Sequence, residues 1–212
     1  MKSITLSILI LALACARVFA GELDGGGHVL VSIPLGTFAD VTKTGVGLGG
    51  KISYQPESKP WFSIRGDLGY LSYESTQRPV LAGGYFVTET IRSEGFHIGI
   101  GPQASLTKGA FKAYVGATAG LYYFQTVISY PELAYYYDYY LTDTRDSHGA
   151  LGGKIGGGIM IDIGLGPWID IGMNYGYIKN GALHTVNNRR IKKDAQEFSI
   201  SIGVFFFSPA NL

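Results

Sequence analysis

The chain has 212 residues, 31 of them glycine, and a formal net charge of +1. Glycine stands at about twice its usual ~7% share, and charged residues make up 16% against the ~25% typical of soluble domains. A near-neutral chain offers no global field for nucleic acid or an acidic partner, and its shortage of charge implies that much of the surface does not meet water.

Residues 1–20 have the pattern of a secretory signal peptide. Lys2 supplies the positive start, Ile4–Ala14 is an apolar core too short to span a bilayer, and Val18 and Ala20 fit the cleavage positions before Gly21. The reading assigns 1–20 to a cleaved signal and 21–212 to one domain. Cleavage removes Cys15, the single cysteine, and with it any disulfide, thiol nucleophile or cysteine metal site. Lipidation at Cys15 is a competing reading, weakened by Ala12 standing where lipoprotein signals usually carry leucine. After residue 20 no run of eighteen apolar residues occurs, so no transmembrane helix is available.

Alternation with period two recurs along the rest of the chain and predicts eight strands. The first spans about His28–Leu35. The second, Val46–Gln55, sets Val46, Leu48, Ile52 and Tyr54 against Gly47, Gly49, Lys51 and Ser53. The third, Trp61–Tyr73, sets Phe62, Ile64, Leu68 and Tyr70 against Ser63, Arg65, Asp67 and Gly69. The fourth, about Thr88–Leu106, carries His97 and Gln103 among glycines on its polar face. The fifth, about Phe111–Ile128, carries Lys112 and Tyr114 there. The sixth and seventh are "GGKIGGGIMIDIGLGPWIDIGMNYGY" (152–177), folded at "GLGP", with Lys154, Asp162, Asp170 and Asn174 on the glycine face. The eighth, Glu197–Phe206, alternates Phe198, Ile200, Ile202, Val204 and Phe206 with Glu197, Ser199, Ser201 and Gly203.

The connections alternate in length. "QPESKP" (55–60), "LTKGA" (106–110) and "GLGP" (164–167) are tight, while 74–87, 129–146 and 178–194 read as long loops. Short turns at one mouth and long loops at the other predict an all-β, eight-stranded antiparallel up-and-down barrel, with both termini at the short-turn mouth. In a soluble barrel the glycine–charge face would meet water, where strand glycines weaken the sheet and pack nothing. In a membrane barrel that face lines a narrow lumen and the apolar face meets lipid. Tyr54, Tyr70, Tyr73, Trp61, Trp168, Tyr175 and Tyr177 fall near strand ends and are read as aromatic girdles.

These strands, this rhythm and the segment "VSIPLGTFADVTKTGVGLGGKISY" resemble the small outer-membrane β-barrel families of the OmpA/OmpX/OmpW kind. The resemblance covers nearly all of residues 27–207. It implies a transmembrane barrel in a Gram-negative outer membrane, inserted by the barrel assembly machinery. Such barrels usually end on an aromatic residue, whereas here Phe207 is followed by "SPANL".

Enzyme and nucleotide motifs do not hold up. Gly45, Gly47 and Gly50 fit G-x-G-x-x-G, but a strand follows where phosphate binding needs a helix. His28, His97, His148 and His184 have no metal-ligand spacing, so neither a metal nor another cofactor is implied. Asp146, Ser147 and His148 lie together, yet strand neighbours point to opposite faces, so Ser147 and His148 do not meet.

The leading expectation is a non-enzymatic outer-membrane protein with a structural or cell-surface role. The alternatives are a narrow channel or transporter for small or apolar solutes and, behind it, a lipid-modifying enzyme. The lumen is expected to be plugged by Lys51, Arg65, Lys112 and Lys154 facing Asp67, Asp162, Asp170 and Glu197, with His97 among them. Tyr136, Tyr137, Tyr139 and Tyr140 in "YPELAYYYDYYLTDTRD" are candidates for contact with an extracellular ligand. Arg189, Arg190, Lys192 and Lys193 in "RRIKK" are candidates for contact with lipopolysaccharide. The surrounding lipid is the remaining partner, and the barrel is expected to be a monomer.

Overall fold

A computed structural model of the chain describes residues 21–206, apart from 41, 83–84, 130–142, 165 and 187–188. Only the backbone is described at 76, 78, 82, 85, 143–145, 182–186 and 189–193. The predicted signal, the residues after Phe206 and the tyrosine-rich candidates lie outside the described residues. Among the described residues, nine strands form one antiparallel sheet: β1 (Gly21–Leu35), β2 (Gly45–Pro56), β3 (Phe62–Tyr73), β4 (Thr76–Ala82), β5 (Tyr85–Lys108), β6 (Phe111–Ser129), β7 (Asp143–Asp162), β8 (Trp168–Val186) and β9 (Arg189–Phe206). Their order is β3-β2-β1-β9-β8-β7-β6-β5-β4, and a further pairing of β3 with β5 closes the sheet on itself. The ring therefore has eight strands, and β4 stands outside it, paired to the upper part of β5 through Thr76↔Ile91 to Ala82↔Tyr85.

Several segments expected as loops are strand. β8 and β9 pair up to Val186↔Arg189, β6 and β7 up to Ser129↔Asp143, and β4–β5 fills most of 74–87. A bilayer crossing needs only about 9–11 tilted residues, so β5, at 24 residues, stands well beyond the hydrocarbon. Alternation marks a strand only where one face is apolar, and in these outer hairpins backbone pairing continues after that constraint has ended. β1 also begins earlier than His28. Gly25–Gly27 shows no alternation in sequence, yet it is pinned between β2 and β9 through Gly25↔Ile52 and Gly25↔Phe206.

The glycine face is explained by what lies across from it. Bulky inward side chains sit over glycines of nearby strands. A Cβ on Gly69 would meet the His97 ring at 2.4 Å, one on Gly49 the His28 ring at 2.4 Å, and one on Gly158 or Gly172 the Tyr114 hydroxyl at 2.6 and 2.7 Å. The narrow lumen holds large polar residues because glycines such as Gly49, Gly69, Gly158 and Gly172 leave room beside them.

Candidate functional site: the lumen and the outer rim

The ring is apolar outside and charged inside. Leu48, Leu68, Ile98, Leu121, Ile155, Ile171 and Ile202 are exposed on its outer wall. Trp61, Phe111 and Phe206 ring the wall near the tight turns, and Tyr70, Phe96, Tyr123, Tyr175 and Tyr177 ring it near the opposite end. Among the described residues, Asp24, Lys51, Arg65, Asp67, His97, Lys112, Lys154, Asp170 and Glu197 are buried within.

Polar clusters fill the lumen. In the middle, Lys51 Nζ lies 2.5 Å from Asp170 Oδ2, and the Tyr114 hydroxyl donates to Asp170 Oδ1 at 2.7 Å. Nearer the outer end, His97 Nε2 lies 3.1 Å from Asp67 Oδ2 and 3.3 Å from Lys154 Nζ, which is 3.2 Å from Glu197 Oε1. The second Glu197 oxygen accepts from Ser32 Oγ at 2.8 Å and Tyr73 Oη at 3.1 Å. Arg65 donates to Gln103 Oε1 at 3.4 Å and lies within electrostatic reach of the Asp67 carboxylate. Lys112 donates to Gln55 Oε1 at 3.3 Å and lies within electrostatic reach of Asp24 and Glu22.

Apolar layers bound this network. The outer one joins Leu30, Phe38, Leu71, Tyr73, Tyr122, Phe124, Ile178 and Ala195. The inner one joins Tyr114, Met160 and Phe205, with Trp168 against them. Tyr122 stacks on His97 at 5.5 Å and Phe124 on His148 at 5.6 Å.

Three placements differ from expectation. Asp162 stands at the tight turn rather than in the network, its Oδ1 accepting from the Gly164 amide at 2.8 Å. The turn needs an acceptor for that amide, and a carboxylate at the strand end supplies it. Asp24 is buried inside, so below the β4–β5 hairpin four buried carboxylates, Asp24, Asp67, Asp170 and Glu197, face four cations. Tyr73 and Trp168 belong to the lumen layers and not to the girdles. Parity could have placed both, since Tyr73 shares a face with Asp67 and Trp168 with Asp170. The aromatic layers were missed because an aromatic near a strand end reads as a girdle.

At the outer rim, His148 points inward with Nε2 3.1 Å from the Gly181 carbonyl, and Ser147 is exposed on the opposite face. For Arg189, Arg190, Lys192 and Lys193 the backbone alone is described, at the outer start of β9. Asp194 lies beyond the tyrosine ring, accepting from the Tyr177 hydroxyl and, at 2.9 Å, from the Asn180 amide. Those bonds hold its carboxyl below the usual range, the Tyr177 hydroxyl contributing most.

A closed antiparallel ring with an apolar exterior, aromatic belts and a charged, packed interior is a transmembrane β-barrel. In water its outer wall would be an apolar patch far larger than soluble monomers carry, and in hydrocarbon a closed ring leaves no backbone edge unpaired. No family model and no curated protein sequence matches the chain. Solved structures similar to it include Neisserial surface protein A, 14% identical over 87% of this chain and 96% of that one, with a TM-score of 0.49. Ail, the attachment invasion locus protein of Yersinia pestis, is 12% identical over 89% and 97%, with a TM-score of 0.47. The outer membrane protein OprG from Pseudomonas aeruginosa is 13% identical over 91% and 98%, also at 0.47. Likeness this distant carries nothing about function.

Proposed function

We propose that the protein is a non-enzymatic barrel of a Gram-negative outer membrane, exported through its signal peptide, with a closed lumen and a structural or surface-contact role. The observation that carries this reading is the filled interior: a charge-balanced network held between two apolar layers. Side-chain rings that select ions carry one sign of charge. The contact role is supported by the long outer hairpins. At the tip of β4–β5, Leu81 and Phe86 face each other in register and are 66% and 82% exposed. The tyrosine-rich segment follows β6 in sequence, and the basic cluster opens β9. They are the proposed contacts for an extracellular ligand and for lipopolysaccharide phosphates.

Purified protein in planar bilayers tests the closed lumen. The expected result is no steady current, and stable currents of porin size would replace this reading with transport. Changing Tyr136, Tyr137, Tyr139 and Tyr140 to serine tests the contact role. Reduced attachment of intact cells at unchanged protein level is expected, and unchanged attachment removes the segment from the proposal.

A further inference from the structure

Phe38 differs from every other member of the outer apolar layer. Leu30, Leu71, Tyr73, Tyr122, Phe124, Ile178 and Ala195 are strand residues of the ring. Phe38 rides on a single 3-10 turn, Gly36–Phe38, between β1 and β2. Its ring is 3% exposed and stands edge-on to Tyr73 at 5.5 Å and Phe124 at 6.0 Å. The turn's own backbone bonds are local, Ala39 N to Gly36 O and Thr42 N to Phe38 O. Thr37 Oγ1 ties it to the wall by donating to the Asp194 carbonyl at 3.1 Å, an exposed bond. Directly beneath lies the Tyr73–Glu197–Lys154–His97 cluster.

We propose that Phe38 is a movable stopper, a side chain that closes the outer end of the lumen without belonging to its wall. Lifting the turn leaves all eight barrel strands paired, because no ladder bond passes through it. It also exchanges a dry aromatic contact for water above four polar groups that water would solvate well. Among the described residues, the inner end has no such device. Its apolar residues all come from strands β6–β9, and Asp24, Ser53, Ser63, Arg65 and Gln103 line the facing strands. A molecule that grips Gly36–Asp40 from outside would therefore open the charged cluster to the exterior. The inference deepens the closed-lumen reading and rests on it.

The test uses Ser199→Cys in a Cys15→Ser background. Ser199 is inward on β9, opposite Ser32 and Asn174, and buried below the stopper. Protein in lipid nanodiscs is treated with a small charged methanethiosulfonate, and resistance to SDS before boiling confirms that each variant is folded. With Phe38 present the thiol should react slowly. Phe38→Ala should speed labelling at least tenfold, and Phe38→Trp should keep it slow. Equal labelling with and without Phe38, whether fast or absent in both, overturns the stopper. Current from the wild type would sink the closed-lumen reading, while equal labelling without current sinks the stopper alone.

Discussion

The Lys51–Asp170 pair has little choice but to exist. Both groups are almost wholly inside, and Tyr114 takes the carboxylate oxygen that Lys51 leaves. A buried pair is weak evidence of net stabilisation, but removing one partner strands the other charge, at a cost of about 3–5 kcal/mol. Asp170→Asn is therefore expected to lower the urea midpoint of the barrel in micelles, and Lys51→Met with Asp170→Leu should recover much of the loss. A double variant no better than the single one would mean that packing, not charge, is at stake. Outside the membrane, Asp194 gives a sign that can be read directly. Its folded pKa is depressed by the Tyr177 hydroxyl and the Asn180 amide. Its contribution is thus present above the unfolded carboxylate value and lost as pH falls through the folded one. Carbon-detected NMR titration should place Asp194 below an ordinary aspartate, and Tyr177→Phe should move it up. No movement would assign the depression to the backbone amide.

At the scale of strands, the same residue type does two different jobs. Gly69 lies under His97 with 2.4 Å for a Cβ, whereas at Gly149 the nearest atom is 3.9 Å away. Gly69→Val is expected to destabilise the barrel by about 1–3 kcal/mol, in the range of overpacked interiors, and Gly149→Val to change little. Equal effects in an unfolding titration would reject the idea that inward glycines exist to seat large neighbours. The period-two faces were legible because lipid on one side and a crowded lumen on the other both act on each strand. Lys51, Asp67, Lys154 and Glu197 follow from that parity alone. Asp24 did not, because the three glycines Gly25–Gly27 interrupt the alternation between it and His28. The outer hairpins were hidden for a related reason: above the bilayer nothing imposes alternation, so "RPVLAGGYFV" (78–87) carries no barrel signature. Which cation meets which carboxylate depends on the stagger of the strands around the ring, and no single sequence prints that.

For the whole molecule, closure is the property that matters. The β3–β5 pairing from Phe62↔Ala104 to Ser72↔Glu94 completes the ring below β4, so every strand that crosses the lipid has two partners. A barrel of this kind should resist SDS until boiled, because opening it exposes backbone groups that hydrocarbon cannot satisfy. The β4–β5 hairpin lies above that closure and makes no contribution to it. Replacing residues 77–90 by a short Asn-Gly turn should therefore leave the unboiled, fast-migrating form and the urea midpoint near those of the full chain, while removing the Leu81–Phe86 tip. The outcome is informative either way. A barrel that loses SDS resistance would show that the hairpin helps to lock β3 onto β5. One that keeps it separates the part of the chain that spans the membrane from the part offered to the outside.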